Sequence, residues 1–387
     1  MITAEQPVDL DPLRERLAAL GRPPTPADVA AAMHAEGLMV SDATLIETVD
    51  ALRSHSVGAG PLDPLLRQPG VTDILVNGPD RVYIDRGSGL ELTGLRFGHD
   101  GEVRRLAQRL AASVGRRLDD AVPFVDARLA DGSRIHAVLS SLADPGTCIS
   151  LRLLAPRSFS LDDCVRSGSL TAGAAELLRR IVASRLAFLV SGGTGSGKTT
   201  LLGALLALVP AQERILIVED SRELAPNHPH LIRLEARPAN AERAGAITLT
   251  DLVRQSLRMR PDRLVVGEVR GPEICDLLMA LNTGHEGGCG TVHANSAGDV
   301  PVRLEALAAL GGLTRSALHA QLTSALHAVI HVIRDEEGLR RVSEISVFVR
   351  DPASGLVRAE RAVQFTRDGR ALAGPGGAQL EKLLCRS

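Results

Sequence analysis

Aromatic side chains are nearly missing from this sequence. Its 387 residues hold no tryptophan, one tyrosine and six phenylalanines. A surface that stacks exposed bases on aromatic rings therefore has little to build with. Lysine is almost as rare: of 44 basic residues only Lys198 and Lys382 are lysines. Charge of one sign is lacking too, and a net −2 exerts no global pull on nucleic acid or acidic lipid. Five cysteines, 148, 164, 275, 289 and 385, form no C-x-x-C pair, which fits free thiols in a reducing cytoplasm. No apolar run approaches the ~20 residues that a membrane helix needs. The opening stretch carries Glu5, Asp9 and Asp11 and no apolar segment of signal-peptide type. These absences predict a cytoplasmic protein without a transmembrane segment, one that would meet a membrane through partners.

What is present centres on Leu186 to Thr200, LAFLVSGGTGSGKTT. The apolar run Leu186 to Val190 predicts a buried strand, and Leu201 to Val209, stopped by Pro210, predicts a helix. Between them lie Gly192, Gly193, Thr194, Gly195, Ser196, Gly197, Lys198, Thr199 and Thr200, in G-x-x-x-x-G-K-[ST] register. The four glycines let backbone N–H groups turn inward onto an anion, and the helix start adds orphan donors there. Lys198 then reaches the β- and γ-phosphates, and the Thr199 hydroxyl can ligate Mg²⁺. A lysine in a chain that otherwise uses arginine indicates a need for a compact ammonium. The stretch predicts ATP and Mg²⁺ as ligands.

At this length about two domains are expected. Residues 1–57 predict a helical segment in three pieces: Leu10, Leu13, Leu17 and Leu20 share a face, Pro26 to Glu36 forms the second, and Ser41-Asp42 opens the third. Residues 58–154 alternate in strand fashion around one amphipathic helix, Glu102 to Val114, and predict an α+β domain. Residues 155–168, with Pro156 and few apolar positions, read as a linker. Residues 169–387 alternate short apolar strands with helices, so a mainly parallel sheet covered on both faces is expected.

Hydrolysis needs more than a phosphate cradle, since a water must be oriented and developing charge neutralised. Acids at the ends of parallel strands are placed for that work. Arg214 to Val218 runs into Glu219 and Asp220, and Leu264 to Gly267 runs into Glu268. A third element, Thr283 to Ser296, carries His285 and His293 around the run Gly287-Gly288-Cys289-Gly290. No acid or cysteine spacing completes a zinc site there, and a flexible loop bringing imidazoles to the γ-phosphate is the alternative.

Taken together these motifs resemble the secretion (traffic) ATPase family of type II and type IV systems. The phosphate loop, Ile-Val-Glu219-Asp220, Leu-Val-Val-Gly-Glu268-Val-Arg270 and Thr-Gly-His285…Thr-Val-His293-Ala-Asn295 match its Walker A, Asp box, Walker B and His box in order. Thr72 to Ile84 is similar to the opening of its N-terminal domain, and the tight-adherence (Flp) pilus branch of CpaF type matches best. The four-cysteine zinc module of type II relatives is absent. The resemblance implies a RecA-like P-loop NTPase core (α/β) and an ATP-driven motor acting as a homohexamer. It implies integral inner-membrane platform proteins as partners, no direct nucleic-acid binding, and a location at the cytoplasmic face of the membrane. It also implies roles: Glu219 for the attacking water, Glu268 through Mg²⁺, and His285 and His293 for sensing. Arg134 and Arg152 match basic residues that the family's N-terminal domain directs at the nucleotide. A RecA-like nucleic-acid translocase is the alternative, against which neutral charge and scarce aromatics weigh.

Overall fold

The computed structural model describes residues 12, 13, 16, 17, 20, 25–38, 40, 41, 44–46, 48, 49, 58–87, 89–153, 159–237, 239, 244–335 and 337–385. By its internal contacts the chain divides into two units, Met1–Ala155 and Pro156–Ser387.

In the first unit helix α1, Pro26–Ala35, starts on Thr25, whose side chain and that of Asp28 cap each other's backbone N–H groups. Val29, Ala32 and Met33 of α1 bury against Leu13 and Leu17, forming a small core of their own. Leu10 and Leu52, expected in the flanking helices, lie outside the described residues. The larger core belongs to a six-stranded sheet: β1 Asp73–Asn77, β2 Val82–Asp85, β3 Leu90–Leu92, β4 Phe124–Arg128, β5 Arg134–Val138 and β6 Cys148–Arg152. Its order is β3-β2-β1-β6-β5-β4 and every pairing is antiparallel. Alternate residues such as Ile74, Val76, Ile135, Ala137, Ile149 and Leu151 point inward, as a period of two requires. Helix α2, Asp100–Ser113, adds Val103, Leu106, Ala107, Leu110 and Ala111 to that core at helical spacing.

The second unit is built on nine strands: β7 Phe188–Gly192, β8 Ile215–Glu219, β9 Leu231–Glu235, β10 Arg263–Val269, β11 Cys289–His293, β12 Ala328–Arg334, β13 Arg340–Arg350, β14 Val357–Phe365 and β15 Ala371–Ala373. Their order is β15-β14-β13-β12-β7-β11-β10-β8-β9. From β12 to β9 all neighbours are parallel, and β13, β14 and β15 extend the sheet antiparallel. Helices lie on both faces: α3 Leu161–Arg166, α4 Ala172–Ala183, α5 Lys198–Leu206 and α10 Gly377–Leu384 contribute to one core. The other core takes α6 Leu249–Ser256, α7 Glu273–Asn282, α8 Val300–Leu310 and α9 Arg315–Ala325. Phe188 and Val190 enter the first core and Leu189 the second, so a strand covered twice must be apolar at every position.

The segment expected to be a linker departs from that reading. Of 155–168, residues 161–166 form α3, opened by a Ser160–Asp163 capping box. Leu161 and Cys164 of α3 are buried in the core of the second unit, two apolar side chains being enough to dock one turn.

Candidate nucleotide site

The phosphate loop leaves β7 at the carboxyl end of the parallel sheet, where ligands meet such sheets. Gly195 and Gly197 take φ of 70° and 94°, the left-handed region that favours glycine. At Gly192 a Cβ would lie 2.3 Å from the Val332 carbonyl oxygen, so β12 leaves no room for a side chain. A Cβ at Gly193 or Gly195 would meet nothing within 4 Å, so that part of the loop is open. Lys198 Nζ donates to the carbonyls of Gly192 and Gly193 at 3.0 and 2.9 Å, folding the ammonium across its own loop. Burial pulls its pKa below the ordinary lysine range, with Glu268 opposing.

Two carboxylates stand at the same carboxyl edge of the sheet, on the neighbouring strands β8 and β10. Glu219, the last residue of β8, is 3% exposed. Its Oε1 accepts from the backbone N–H groups of Glu223 and Leu224 at 3.0 and 2.9 Å. Its Oε2 is buried with no partner among the described residues. Burial pushes its pKa up to about 7, against those two donors. Gly267 on β10 makes room for it, since a Cβ there would stand 2.5 Å from Glu219 Cγ. Glu268 accepts from Arg270 Nη2 at 2.6 Å. Burial acts to raise its pKa, but Arg270, aided by Lys198 and His293, outweighs burial and holds it below the usual range.

These residues suit a nucleotide and a hydrated Mg²⁺. The loop offers open backbone donors, and Glu219 Oε2 awaits a hydrogen-bond donor. Among the described residues no group of three His, Cys, Asp or Glu could cage a metal. Mg²⁺ commonly binds through one or two protein groups plus substrate phosphates, and Thr199 and Glu268 are the candidates to share it.

Of the two histidines, His293 ends β11 beside Gly192 and lies close enough to influence Glu268. His285 is not brought to the loop. It precedes β11, whose register sets Cys289 beside Phe188 and His293 beside Gly192. At about 3.3 Å per residue, His285 lies beyond the amino end of the strand, roughly 13 Å or more from the carboxyl edge. Its Nδ1 lies 3.1 Å from the Ala280 carbonyl oxygen, which it caps at the end of α7. The glycine run after it is also not a flexible loop. A Cβ on Gly287 would strike Arg263 Nη1 at 2.0 Å, and one on Gly290 the Val266 carbonyl oxygen at 2.6 Å. Close packing against β10 demands those glycines.

Arg134 and Arg152 belong to the first unit, directly opposite each other across β5 and β6. Arg134 grips Asp126 through Nε, at 2.9 Å, and Nη2. Arg152 Nε donates to Asp73 at 3.1 Å.

Two further residues went unread in the sequence. His331 on β12 is 4% exposed, with Nδ1 2.8 Å from Ser191 Oγ, and it hydrogen-bonds the Asn295 backbone. It ties the phosphate-loop strand to the segment after His293, and burial lowers its pKa. A lone histidine inside the apolar run Ala328 to Ile333 was its signal. Arg340, at the start of β13, donates from Nε to the Gly195 carbonyl at 2.9 Å.

Known proteins resemble this chain over most of its length. The pattern of the family described as Type II/IV secretion system protein matches residues 55–369. A Mycobacterium tuberculosis (strain H37Rv) protein named for conjugal transfer is 54% identical over 327 residues, 83% of this chain and 92% of that protein. Conjugal transfer protein TrbB of Rhizobium radiobacter is 32% identical over 280 residues, 71% and 83% of the two chains. Among solved structures the Legionella pneumophila ATPase DotB has a TM-score of 0.52 at 18% identity, covering 75% of this chain and 80% of its own. That likeness bears on fold alone, a RecA-like α/β core.

Proposed function

This chain belongs to the type II/IV secretion system protein family, and from that premise we propose that it is a Mg²⁺-dependent ATPase driving a membrane-bound transport machine. The observation that carries the reading is the convergence of Lys198, Glu219, Glu268 and His293 at one edge of the sheet. Lys198 and the loop from Gly192 to Thr200 bind the phosphates. Glu219 orients the attacking water and accepts its proton, a task matched to a carboxylate with a pKa near neutrality. Thr199 and Glu268 are the residues that would hold Mg²⁺, which when bound neutralises charge on the phosphate oxygens. His293, beside Gly192, senses the terminal phosphate. Arg134 and Arg152 of the first unit supply the remaining positive charge in the transition state, exchanging their aspartates for the nucleotide.

The finer reading is a homohexamer on the cytoplasmic face of the membrane, working with integral platform proteins in a pilus of the tight-adherence type. Relatives named for conjugal transfer and type IV secretion support a transport machine. Among the described residues no helix is long and apolar enough to cross a membrane.

Glu219→Gln tests the chemistry. The variant should bind Mg·ATP with near wild-type affinity and turn over at least ~10²-fold more slowly, the low end for loss of a general base. Unchanged turnover would remove Glu219 from the mechanism.

A further inference from the structure

The hairpin joining β12 to β13 runs beside the phosphate loop, with Val332 in register with Gly192. Arg340 opens β13, and besides its bond to the Gly195 carbonyl its aliphatic stem covers Gly197. A Cβ added at Gly197 would come within 3.3 Å of Arg340 Cδ. This contact uses one guanidinium donor out of five. Among the described residues no hydrogen bond or ion pair engages Nη1 or Nη2. Some arginines of this unit face acids, as Arg254 faces Asp276 and Arg270 faces Glu268, while Arg233, Arg341 and Arg350 donate to backbone carbonyls. Arg340 is anchored on a phosphate loop with no carboxylate opposite, a placement that suits an incoming anion.

The space beside it is apolar. A cavity of about 310 Å³ lies between the loop, the hairpin and the α3–α4 segment. Leu170, Leu201, Val332 and Val342 line it, together with Gly197 and Thr200 where the phosphate loop meets α5. Arg340 is part of the same wall. The dimensions and lining suit a base and ribose, with the phosphates continuing into the loop.

We propose that Arg340 is a nucleotide-binding residue: its Nη edge pairs with the α-phosphate end of a nucleoside di- or triphosphate whose base and ribose fill this cavity. The inference rests on the ATPase reading above. Because Nε holds the Gly195 carbonyl, the same guanidinium joins the bound phosphate, the loop and the β12–β13 hairpin.

The test uses the full chain and its Arg340→Ala and Arg340→Lys variants. Binding of ADP, ATP and inorganic tripolyphosphate is measured by calorimetry, and thermal melting reports folding. Arg340→Ala should bind all three roughly ten- to hundredfold more weakly, the usual consequence of losing a hydrogen-bonded charge contact. It should raise KM for ATP by a similar factor while kcat changes far less. Lysine keeps the charge without the fork and should recover part of the loss. Wild-type binding by folded Arg340→Ala would overturn the inference, as would a loss for the nucleotides that spares tripolyphosphate. Lys198→Ala is the control: if it binds nucleotide like the wild type, the ATPase reading fails, whereas failure of Arg340 alone leaves that reading standing.

Discussion

Glu219 and Glu268 end up in opposite protonation regimes within neighbouring strands, and the causes lie close to each. Arg270 faces Glu268 and keeps it ionised, whereas Glu219 has two backbone donors on one oxygen and, among the described residues, no partner on the other. Its pKa of about 7 stands above the 4.5 of an ordinary glutamate. The folded state therefore keeps this proton to higher pH than the unfolded chain does. The resulting stabilisation is full below about pH 4.5 and is lost as pH rises through about 7, roughly 3 kcal/mol in all. Activity runs the other way, because a general base works only when ionised. The pH profile of kcat/KM should rise with an inflection near 7, and Glu219→Gln should lack that limb. A wild-type profile flat between pH 5.5 and 8.5 would contradict the assignment.

The element that positions this carboxylate is β10. Most of its residues are chosen for burial on both faces, but Gly267 is chosen for absence, leaving the volume that Glu219 occupies. Gly267→Ala should displace the carboxylate while leaving the phosphate loop intact. Turnover should fall at least ~10-fold, in line with the loss expected from a misplaced catalytic group, with ATP affinity near wild type. Equal turnover would mean that Glu219 is not held where hydrolysis needs it. Elements with a strong period and a clear stop were legible from residues alone, as at β7, β8, β10 and α5. The edge strand β9 was not, because its five residues are only half buried and include Arg233 and Glu235. Helix α3 was hidden by brevity, and α10 by its distance from any motif. His285 was misplaced because adjacency in a motif says nothing about which end of a strand a residue occupies. The glycines after it looked like a flexible loop because what fills their side-chain space, Arg263 at Gly287 and the Val266 carbonyl at Gly290, lies about two dozen residues earlier, where no local pattern reveals it.

For the molecule as a whole, the parallel sheet covered on both faces was legible in the alternation of short apolar strands with helices, and its RecA-like character followed from the family resemblance. Arg134 and Arg152 each satisfy an aspartate on a neighbouring strand, so within the first unit they are already accounted for. A role at the nucleotide requires those exposed pairs to be exchanged, and exposed pairs are cheap to break. What the account depends on most is simpler, namely that this chain hydrolyses ATP at the loop between β7 and α5. The most direct measurement is steady-state ATP turnover by the full chain beside Lys198→Ala, with melting curves showing that both are folded. Turnover should be Mg²⁺-dependent in the wild type and abolished in the variant. A folded Lys198→Ala protein that hydrolyses ATP at the wild-type rate would contradict the central claim.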